Sequence, residues 1–193
     1  MADIKLPFVL GLAGRKGVGK THIARGLEER GWVRMSYADG VRELALALDP
    51  YVDWFDPGTG QYPNIVGLPL SDLVGDRGWD KAKENPEVRR ILQVVGTEIG
   101  RSIDPDIWVN KLAARIYKLP AGSRVVIDDV RFPNEADKIR HAWGGVVVHL
   151  NGEAGDDTHE SERLVDTLDV TYDIPEMSVR AIDWAEKLDW QYG

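Results

Sequence analysis

The chain has 193 residues, a formal net charge of −8 and no cysteine. This length suits one large domain, or one domain with a mobile insert. The acidic balance argues against a broad nucleic-acid-binding face, and the lack of cysteine excludes disulfides, thiolate catalysis and Cys-ligated zinc. Because the chain starts without a signal-peptide pattern and no apolar run spans a bilayer, we expect a soluble, cytoplasmic protein without a membrane partner.

Short apolar runs alternate with helical patterns along the chain. Five runs predict strands: Phe8–Leu12, Trp32–Ser36, Arg124–Asp128, Val146–Leu150 and a weaker Val170–Ile174. Near-continuous apolar strands separated by helices indicate an α/β fold with a parallel sheet covered on both faces.

The spacing of apolar residues predicts six helices. They are Thr21–Arg30, Val41–Leu48, Glu87–Arg101, Asp106–Lys118, Asn134–Trp143 and Ser178–Leu188, with Ser178 as an N-cap. The third of them carries one apolar stripe, formed by Val88, Ile91, Leu92, Val95 and Ile99. Trp108 lies on an apolar helical face and is expected in the core.

A proline- and glycine-rich segment, residues 49–86, separates two of these helices. The sequence predicts a long irregular insert, and long loops in compact domains are commonly functional. Its aromatic residues (Trp54, Tyr62 and Trp79) favour a folded insert that covers a substrate.

The strongest motif follows the first predicted strand and precedes the first predicted helix. Residues 14–21 match G-x-x-x-x-G-K-[ST] in full: Gly14, Arg15, Lys16, Gly17, Val18, Gly19, Lys20 and Thr21. Such a loop turns backbone N–H groups toward phosphate oxygens at a helix N-terminus. Lys20 would reach the β- and γ-phosphates of ATP, and the Thr21 hydroxyl would bind Mg²⁺. Arg15 and Lys16 either contact phosphate or stay solvated.

A second polar group follows the strand Arg124–Asp128. In open parallel sheets, ligands bind at the carboxyl ends of strands. Asp128 therefore predicts a catalytic and metal-binding carboxylate, whereas Asp129 either faces solvent or orients an acceptor. Arg131 is placed to neutralise a transferring phosphate. The alternative is an acidic turn beside an unrelated arginine.

Candidate acceptor-binding residues lie elsewhere in the chain. Ser36 and Asp39 follow the second strand, and Arg42 comes one turn later, a pattern that suits either a phosphorylated acceptor or an ordinary N-cap. Gln93, Thr97 and Arg101 share one helical stripe, which reads either as a base-recognising surface or as a solvent-facing strip.

Together these motifs resemble the deoxynucleoside monophosphate kinases of the bacteriophage type. The resemblance rests on Gly14–Thr21, Ser36–Asp39, Arg89–Glu98 with Arg101, Asp104–Trp108, Asp128–Glu135 and His159–Glu162. It implies a single P-loop kinase domain (1–193) related to adenylate kinase. That fold has a five-stranded parallel sheet flanked by helices, a monophosphate-binding insert at about 49–86 and a lid at about 150–165.

The resemblance also implies the reaction. ATP with Mg²⁺ would be the donor and a deoxynucleoside monophosphate the acceptor, with Arg131 and the acidic pair serving the phosphates and the metal. Asp39, Arg42 and Gln93 would lie near the acceptor. A phage origin would place the enzyme in the host cytoplasm, acting on small nucleotides and not nucleic acid, with a homodimer left open.

One departure from the family and two rival functions remain. The segment 151–157 has no Arg or Lys, although related kinases bring cations from this region. One rival is another small-molecule P-loop kinase, of the dephospho-coenzyme A or phosphomevalonate type. The other is a non-enzymatic nucleotide-binding switch.

Overall fold

The computed structural model describes residues 6–56, 64–151, 168, 170, 172–174 and 181–193. The strands of its central sheet are β1 (Phe8–Ala13), β2 (Val33–Met35), β5 (Arg124–Val130), β6 (Val146–Leu150) and the three-residue edge strand β7 (Tyr172–Ile174). This sheet is parallel, with the strand order β2-β5-β1-β6-β7. The predicted α/β fold class is confirmed.

The register brings the carboxyl ends of the strands to one edge of the sheet. Ala13 pairs with Val130 on one side and with His149 on the other. Met35, the last residue of β2, pairs with Ile127. Because all of these strands are parallel, the residues that follow β1, β2 and β5 meet at that edge.

The described helices are α1 (Lys20–Glu28), α2 (Ala38–Leu48), α3 (Leu70–Ala82), α4 (Pro86–Gln93), α5 (Arg101–Ile103), α6 (Ile107–Ile116), α7 (Pro133–Asp137) and α8 (Ala181–Tyr192). Each of the six predicted helices has a counterpart among them, whereas α3 lies in a segment predicted to be irregular. The predicted N-cap of the last helix, Ser178, lies outside the described residues.

Two predicted helices contain π-helical turns that periodicity did not indicate. Val94–Gly100 joins α4 to α5, and Lys138–Ala142 continues α7. A π turn pairs residue i with i+5 and rotates all later residues about the helix axis. The predicted apolar stripe is therefore wrong at its end: Val88 and Val95 are buried, whereas Ile99 is 52% exposed.

The chain forms two compact units. The first comprises Met1–Tyr37 and Val109–Gly193, and the second comprises Ala38–Trp108. In the first unit, α1 packs on the sheet through Ile23, Ala24 and Leu27, and Leu10 and Val126 belong to the same buried cluster.

The second unit has its own small core. The hairpin of β3 (Tyr51–Asp56) and β4 (Asn64–Pro69) is antiparallel. Val52, Leu70, Leu73 and Val88 belong to one buried cluster.

The segment 49–86 falls within this second unit, and the prediction that it is irregular was wrong. The hairpin and α3 occupy most of it, and two of its prolines stand at element boundaries. Pro69 ends β4 and Pro86 opens α4, positions where the missing N–H costs no hydrogen bond. In the described part of the chain, no helix is long and apolar enough to cross a membrane.

Candidate functional site

The loop between β1 and α1 has the backbone that phosphate binding requires. Gly14 adopts a φ of +133°, and a Cβ there would lie 2.6 Å from the carbonyl oxygen of Leu150. Gly19, which precedes α1, adopts a φ of +95°. Both positions demand glycine, because other residues are strained at positive φ and a side chain at Gly14 would strike β6. Val18 is buried and anchors the loop in the core of the first unit.

Lys20 and Thr21 occupy the first turn of α1. The Lys20 side chain is 8% exposed, and its ammonium donates hydrogen bonds to the carbonyl oxygens of Gly14 and, at 2.8 Å, Arg15. Thr21 is exposed, as are Arg15 and Lys16. The cation is thus held inside the loop, while the hydroxyl of the next residue lies at the surface.

The carboxyl end of β5 contains a β-bulge that the sequence did not reveal. Gly11 pairs with Ile127 and Ala13 with Val130, so two steps along β1 match three steps along β5. The extra residue falls at the pair Asp128 and Asp129. Bulges redirect side chains and are common beside active sites, and these two carboxylates have different partners.

Asp128 is 7% exposed and paired with an arginine of β2. Its Oδ2 accepts hydrogen bonds from Nε of Arg34 at 2.7 Å and from Nη2 at 2.5 Å. A buried carboxylate is costly unless a charge and hydrogen bonds compensate it, and Arg34 supplies both. Sequence reasoning missed Arg34, although a charged residue inside the apolar run Trp32–Ser36 was a usable signal.

Asp129 is partly buried, and both of its carboxylate oxygens accept hydrogen bonds. Its Oδ2 accepts from the Ser36 hydroxyl at 2.6 Å, and its Oδ1 accepts from the Tyr37 backbone N–H at 2.8 Å. The carboxylate therefore joins the end of β2 to the end of β5. Ser36 is itself buried, so the described contact of this predicted acceptor-binding residue is internal.

Arg131 leaves β5 through a turn that Glu135 organises. Oε2 of Glu135 accepts from the backbone N–H groups of Arg131 at 2.8 Å and Phe132 at 3.1 Å. The Tyr37 hydroxyl donates to the Glu135 backbone oxygen at 3.1 Å. Sequence reasoning assigned no role to Tyr37 or Glu135, yet both are buried. Glu135 stands three residues after the N-cap position of α7, the spacing typical of a capping-box glutamate. That spacing was the sequence signal for Glu135.

The remaining predicted acceptor-binding residues belong to the second unit. Asp39 and Arg42 lie in the first half of α2 and form an ion pair of 3.0 Å, each less than one third exposed. The Nε of Arg42 is buried and has no hydrogen-bond partner. Gln93 is exposed at the end of α4. Asp39 and Arg42 thus meet within one helix turn, whereas Gln93 stands on a different helix.

The π-helical segment beyond Gln93 is fixed by a buried tryptophan. Nε1 of Trp108 donates to the Gly96 backbone oxygen at 2.7 Å, and Trp108 is 3% exposed. The prediction that Trp108 is a core residue is confirmed. The predicted lid, apart from residues 150 and 151, lies outside the described residues, as does the motif that contains His159.

Two oxygen ligands suited to Mg²⁺ lie in the first turn of α1 and near the carboxyl end of β5. They are the Thr21 hydroxyl and the Asp128 carboxylate, and hydroxyl, carboxylate, phosphate and water oxygens are the donors that this cation prefers. Among the described residues, no cluster of three or more His, Cys, Asp or Glu forms a metal site made of protein alone. The residues present fit a cation that is bound jointly by protein and nucleotide phosphates.

Residues 76–170 match the family model described as deoxynucleotide monophosphate kinase. A protein of Acanthamoeba polyphaga mimivirus with the provisional name deoxynucleotide monophosphate kinase is 34% identical over 169 residues, which cover 80% of each chain.

Solved structures with low sequence identity also match. The tunicamycin resistance protein of Deinococcus radiodurans is 14% identical, with a TM-score of 0.47, covering 97% of this chain and 96% of that one. A sugar kinase of Janibacter is 16% identical, with a TM-score of 0.46, covering 96% and 94%. The relationship over most of the viral protein, together with the family match, shows that the chain belongs to the deoxynucleotide monophosphate kinase family.

Proposed function

We propose that this protein transfers the γ-phosphate of ATP to a deoxynucleoside 5′-monophosphate and releases ADP and the deoxynucleoside diphosphate. Membership of the family makes the protein a nucleotide phosphotransferase. The observation that carries the proposal is the complete P-loop at the sheet edge where Asp128 lies near the end of β5 and Arg131 follows that strand. This arrangement supplies a phosphate cradle, a cation and a carboxylate together.

The donor site would use the loop of residues 14–21. Backbone N–H groups of the glycine-rich turn would bind the phosphate oxygens, and the N-terminus of α1 would favour their negative charge. Lys20 would exchange its contacts with the loop carbonyls for contacts with the β- and γ-phosphates. This exchange keeps the buried ammonium hydrogen-bonded both before and after ATP binds.

Mg²⁺ would be held by Thr21 and Asp128 together with phosphate oxygens. When bound, the cation withdraws negative charge from the transferring phosphoryl group. Arg34 donates two hydrogen bonds to Oδ2 of Asp128 and so fixes the orientation of the carboxylate that would bind the metal.

The reaction needs no covalent intermediate. An oxygen of the acceptor phosphate attacks the γ-phosphorus in line, and the bond from that phosphorus to the bridging oxygen of ADP breaks. Positioning and charge neutralisation account for catalysis of this kind. Lys20 and Arg131 would supply the positive charge around the transferring group.

The acceptor would be bound by residues of the second unit. We propose that Arg42 and Asp39 serve the acceptor and that Gln93 reads its base. The support is chemical: the buried guanidinium Nε of Arg42 has no hydrogen-bond partner, and a phosphate or sugar oxygen would satisfy it. Ser36 is a further proposed acceptor-binding residue, and its described partner is Asp129.

Small nucleotides, and not nucleic acid, are the proposed substrates, in keeping with the net charge of −8 and the specialised phosphate loop. A cytoplasmic location and a homodimer stay predictions. Size-exclusion chromatography with light scattering would settle the oligomeric state.

The test is an acceptor screen. Purified protein is mixed with ATP, Mg²⁺ and each monophosphate in turn, deoxy and ribo, and ADP formation is followed. We expect turnover with at least one deoxynucleoside monophosphate, loss of that turnover in Lys20→Ala, and no loss in the matched control Lys118→Ala. Intact ATP binding without turnover on any nucleotide would contradict the proposal and favour another acceptor or a nucleotide-binding switch.

A further inference from the structure

The turn between β5 and α7 is held by a network of buried and partly buried hydrogen bonds that the transfer reaction does not itself require. Glu135 is 1% exposed and Tyr37 is 3% exposed. Neither is placed by the proposed function in contact with a substrate. Burying a carboxylate so completely is costly unless its hydrogen bonds have a purpose in the fold or in the site.

Glu135 acts on the backbone from which Arg131 projects. Its Oε2 accepts from the N–H of Arg131 at 2.8 Å and from the N–H of Phe132 at 3.1 Å. Two donors on one carboxylate oxygen fix the orientation of two successive peptide groups. Because a side chain leaves from its own Cα, fixing these peptide planes fixes the origin and direction of the Arg131 side chain.

Tyr37 holds the same turn from the other side. Its hydroxyl donates to the backbone oxygen of Glu135 at 3.1 Å, while its backbone N–H donates to Oδ1 of Asp129 at 2.8 Å. The residue therefore touches the sequence both before and after Arg131. The backbone N–H of Tyr37 thus holds the side before the turn, and its side-chain hydroxyl holds the side after it.

We propose that Glu135 and Tyr37 are positioning residues for Arg131, which set the guanidinium in place to neutralise the transferring phosphate. This inference rests on the proposed function, because it assigns a purpose only if Arg131 serves the reaction. Neither residue touches substrate in the proposal. A purely structural role would instead make both residues matter for folding and leave the remaining activity independent of Arg131.

A double-mutant cycle separates the two roles. The variants are Glu135→Gln, Arg131→Ala and the pair together, with kcat, KM for each substrate and ATP affinity measured for each. Glutamine keeps the size of the side chain but removes its charge, so the turn loosens while the fold is kept. We expect Glu135→Gln to lower kcat by about 10- to 100-fold, the scale on which small misplacements act, with ATP affinity within twofold of the wild type.

The coupling is the deciding measurement. If Glu135 works through Arg131, adding Glu135→Gln to Arg131→Ala lowers kcat by less than about twofold further, because residues that act as one unit are strongly non-additive. Losses in kcat that multiply in the double variant would overturn the proposal. So would a loss of ATP affinity equal to the loss of kcat.

A second variant covers the case in which Glu135→Gln does not fold. Tyr37→Phe removes one hydroxyl only, and its control Tyr117→Phe removes the exposed hydroxyl that accepts from Trp143 Nε1. We expect Tyr37→Phe to lower kcat by about three- to tenfold and to have no further effect in the Arg131→Ala background, while Tyr117→Phe keeps wild-type kcat. Equal kcat in both tyrosine variants would overturn the proposal.

Failure of the proposed function would look different. A wild-type protein without turnover, or an Arg131→Ala variant with full turnover, removes the role of Arg131 itself. If only the positioning proposal fails, Arg131→Ala is still impaired, and Glu135→Gln lowers kcat by the same factor whether or not Arg131 is present.

Discussion

Strand β5 has an Arg–Asp contact at each of its ends, with the residue types exchanged. At the amino end, Nη1 of Arg124 donates to Oδ1 of Asp189 at 2.8 Å. At the carboxyl end, Asp128 accepts from Arg34 at 2.5 and 2.7 Å. The first contact joins the sheet to the last helix, and the second joins it to a neighbouring strand.

The surroundings of the two contacts differ more than the contacts themselves. Asp189 also accepts from Nε1 of Trp32 at 2.8 Å, and Arg124 stacks 5.3 Å from the Trp32 ring and donates to the Arg30 backbone oxygen. The amino end therefore combines its ion pair with aromatic packing.

The carboxyl end combines its ion pair with a bulge and a second carboxylate. Under the proposed function, the same pairing serves stability at the amino end of the strand and chemistry at the carboxyl end. Substitutions should separate these two roles.

The largest expected effect is at the carboxyl end, in Lys20→Ala. Removing this ammonium leaves the phosphates of ATP without their buried cation, and the loss of one preorganised charge in a site costs on the order of 10³-fold in kcat. Steady-state kinetics and the melting temperature Tm would be measured together. If Lys20→Ala lowered Tm enough for unfolding to explain its loss of activity, the proposed contrast between the two ends of β5 would fail.

Asp128→Asn is expected to lower kcat by about 10²-fold through loss of a negatively charged oxygen ligand for the metal. Its apparent Mg²⁺ requirement should rise, whereas KM for the acceptor should change little. A titration of activity against Mg²⁺ at saturating nucleotides measures this effect. An unchanged Mg²⁺ dependence would contradict the assignment of Asp128 and shift attention to other oxygen ligands.

Asp189→Ala should have the opposite profile. It leaves the N–H of Trp32, which is 2% exposed, without its partner, and an unsatisfied buried donor costs about 1–3 kcal/mol. Since Arg124 and Asp189 are about 30% exposed, solvent screens their attraction and we add little for it. We expect a free energy of unfolding lower by about 2 kcal/mol and a Tm lower by about 4–8 °C.

The control for Asp189→Ala is Glu186→Ala, an exposed carboxylate on the same helix α8. Thermal unfolding of both variants, with kcat measured well below Tm, makes the comparison. If kcat falls in Asp189→Ala while Glu186→Ala is normal, the amino end also influences the site, and the division of roles along β5 fails.

How much of the fold and of the candidate site could be predicted from the sequence depends on how far apart in the chain the interacting residues lie. The strands, the helices and the glycine-rich turn depend on local periodicity and on glycine chemistry, so the strand predicted at 8–12 and the helix predicted from Thr21 are present as β1 and α1. Arg34, Tyr37 and Glu135 act through partners 94, 98 and 3–4 residues away. For the two distant partners, the relevant proximity arises only when β2 pairs with β5.

The bulge shows the same limit in one strand. The sequence of Arg124–Val130 alone does not show where the bulge lies, because a bulge is defined by the pairing of two residues with one residue of the partner strand. The pairing with β1 places the extra residue at Asp128 and Asp129 and so decides that two adjacent carboxylates have different partners.

A third pair of an arginine and an acidic residue, Glu87 with Arg90 at the start of α4, is the one from which we expect the smallest effect on stability. Its two hydrogen bonds, 2.7 and 2.8 Å, are close in length to those on β5, which measure 2.5, 2.7 and 2.8 Å, yet its side chains are 42% and 64% exposed. The hydrogen bond from Arg90 lowers the pKa of Glu87 from its ordinary value. A carboxyl whose folded pKa is lowered stabilises the fold at neutral pH, and this contribution is lost as pH falls through that lowered pKa.

We therefore expect Glu87→Gln to change Tm at neutral pH by no more than about 1 °C, because solvent and salt screen exposed pairs. Any difference from the wild type should shrink at high salt and vanish in acid, where the wild-type carboxyl is protonated as well. Thermal unfolding across pH, with the exposed Glu28→Gln as control, measures it. A loss as large as that of Asp189→Ala would mean that hydrogen-bond geometry alone sets the strength of these pairs, whereas a negligible loss assigns that strength to what surrounds them.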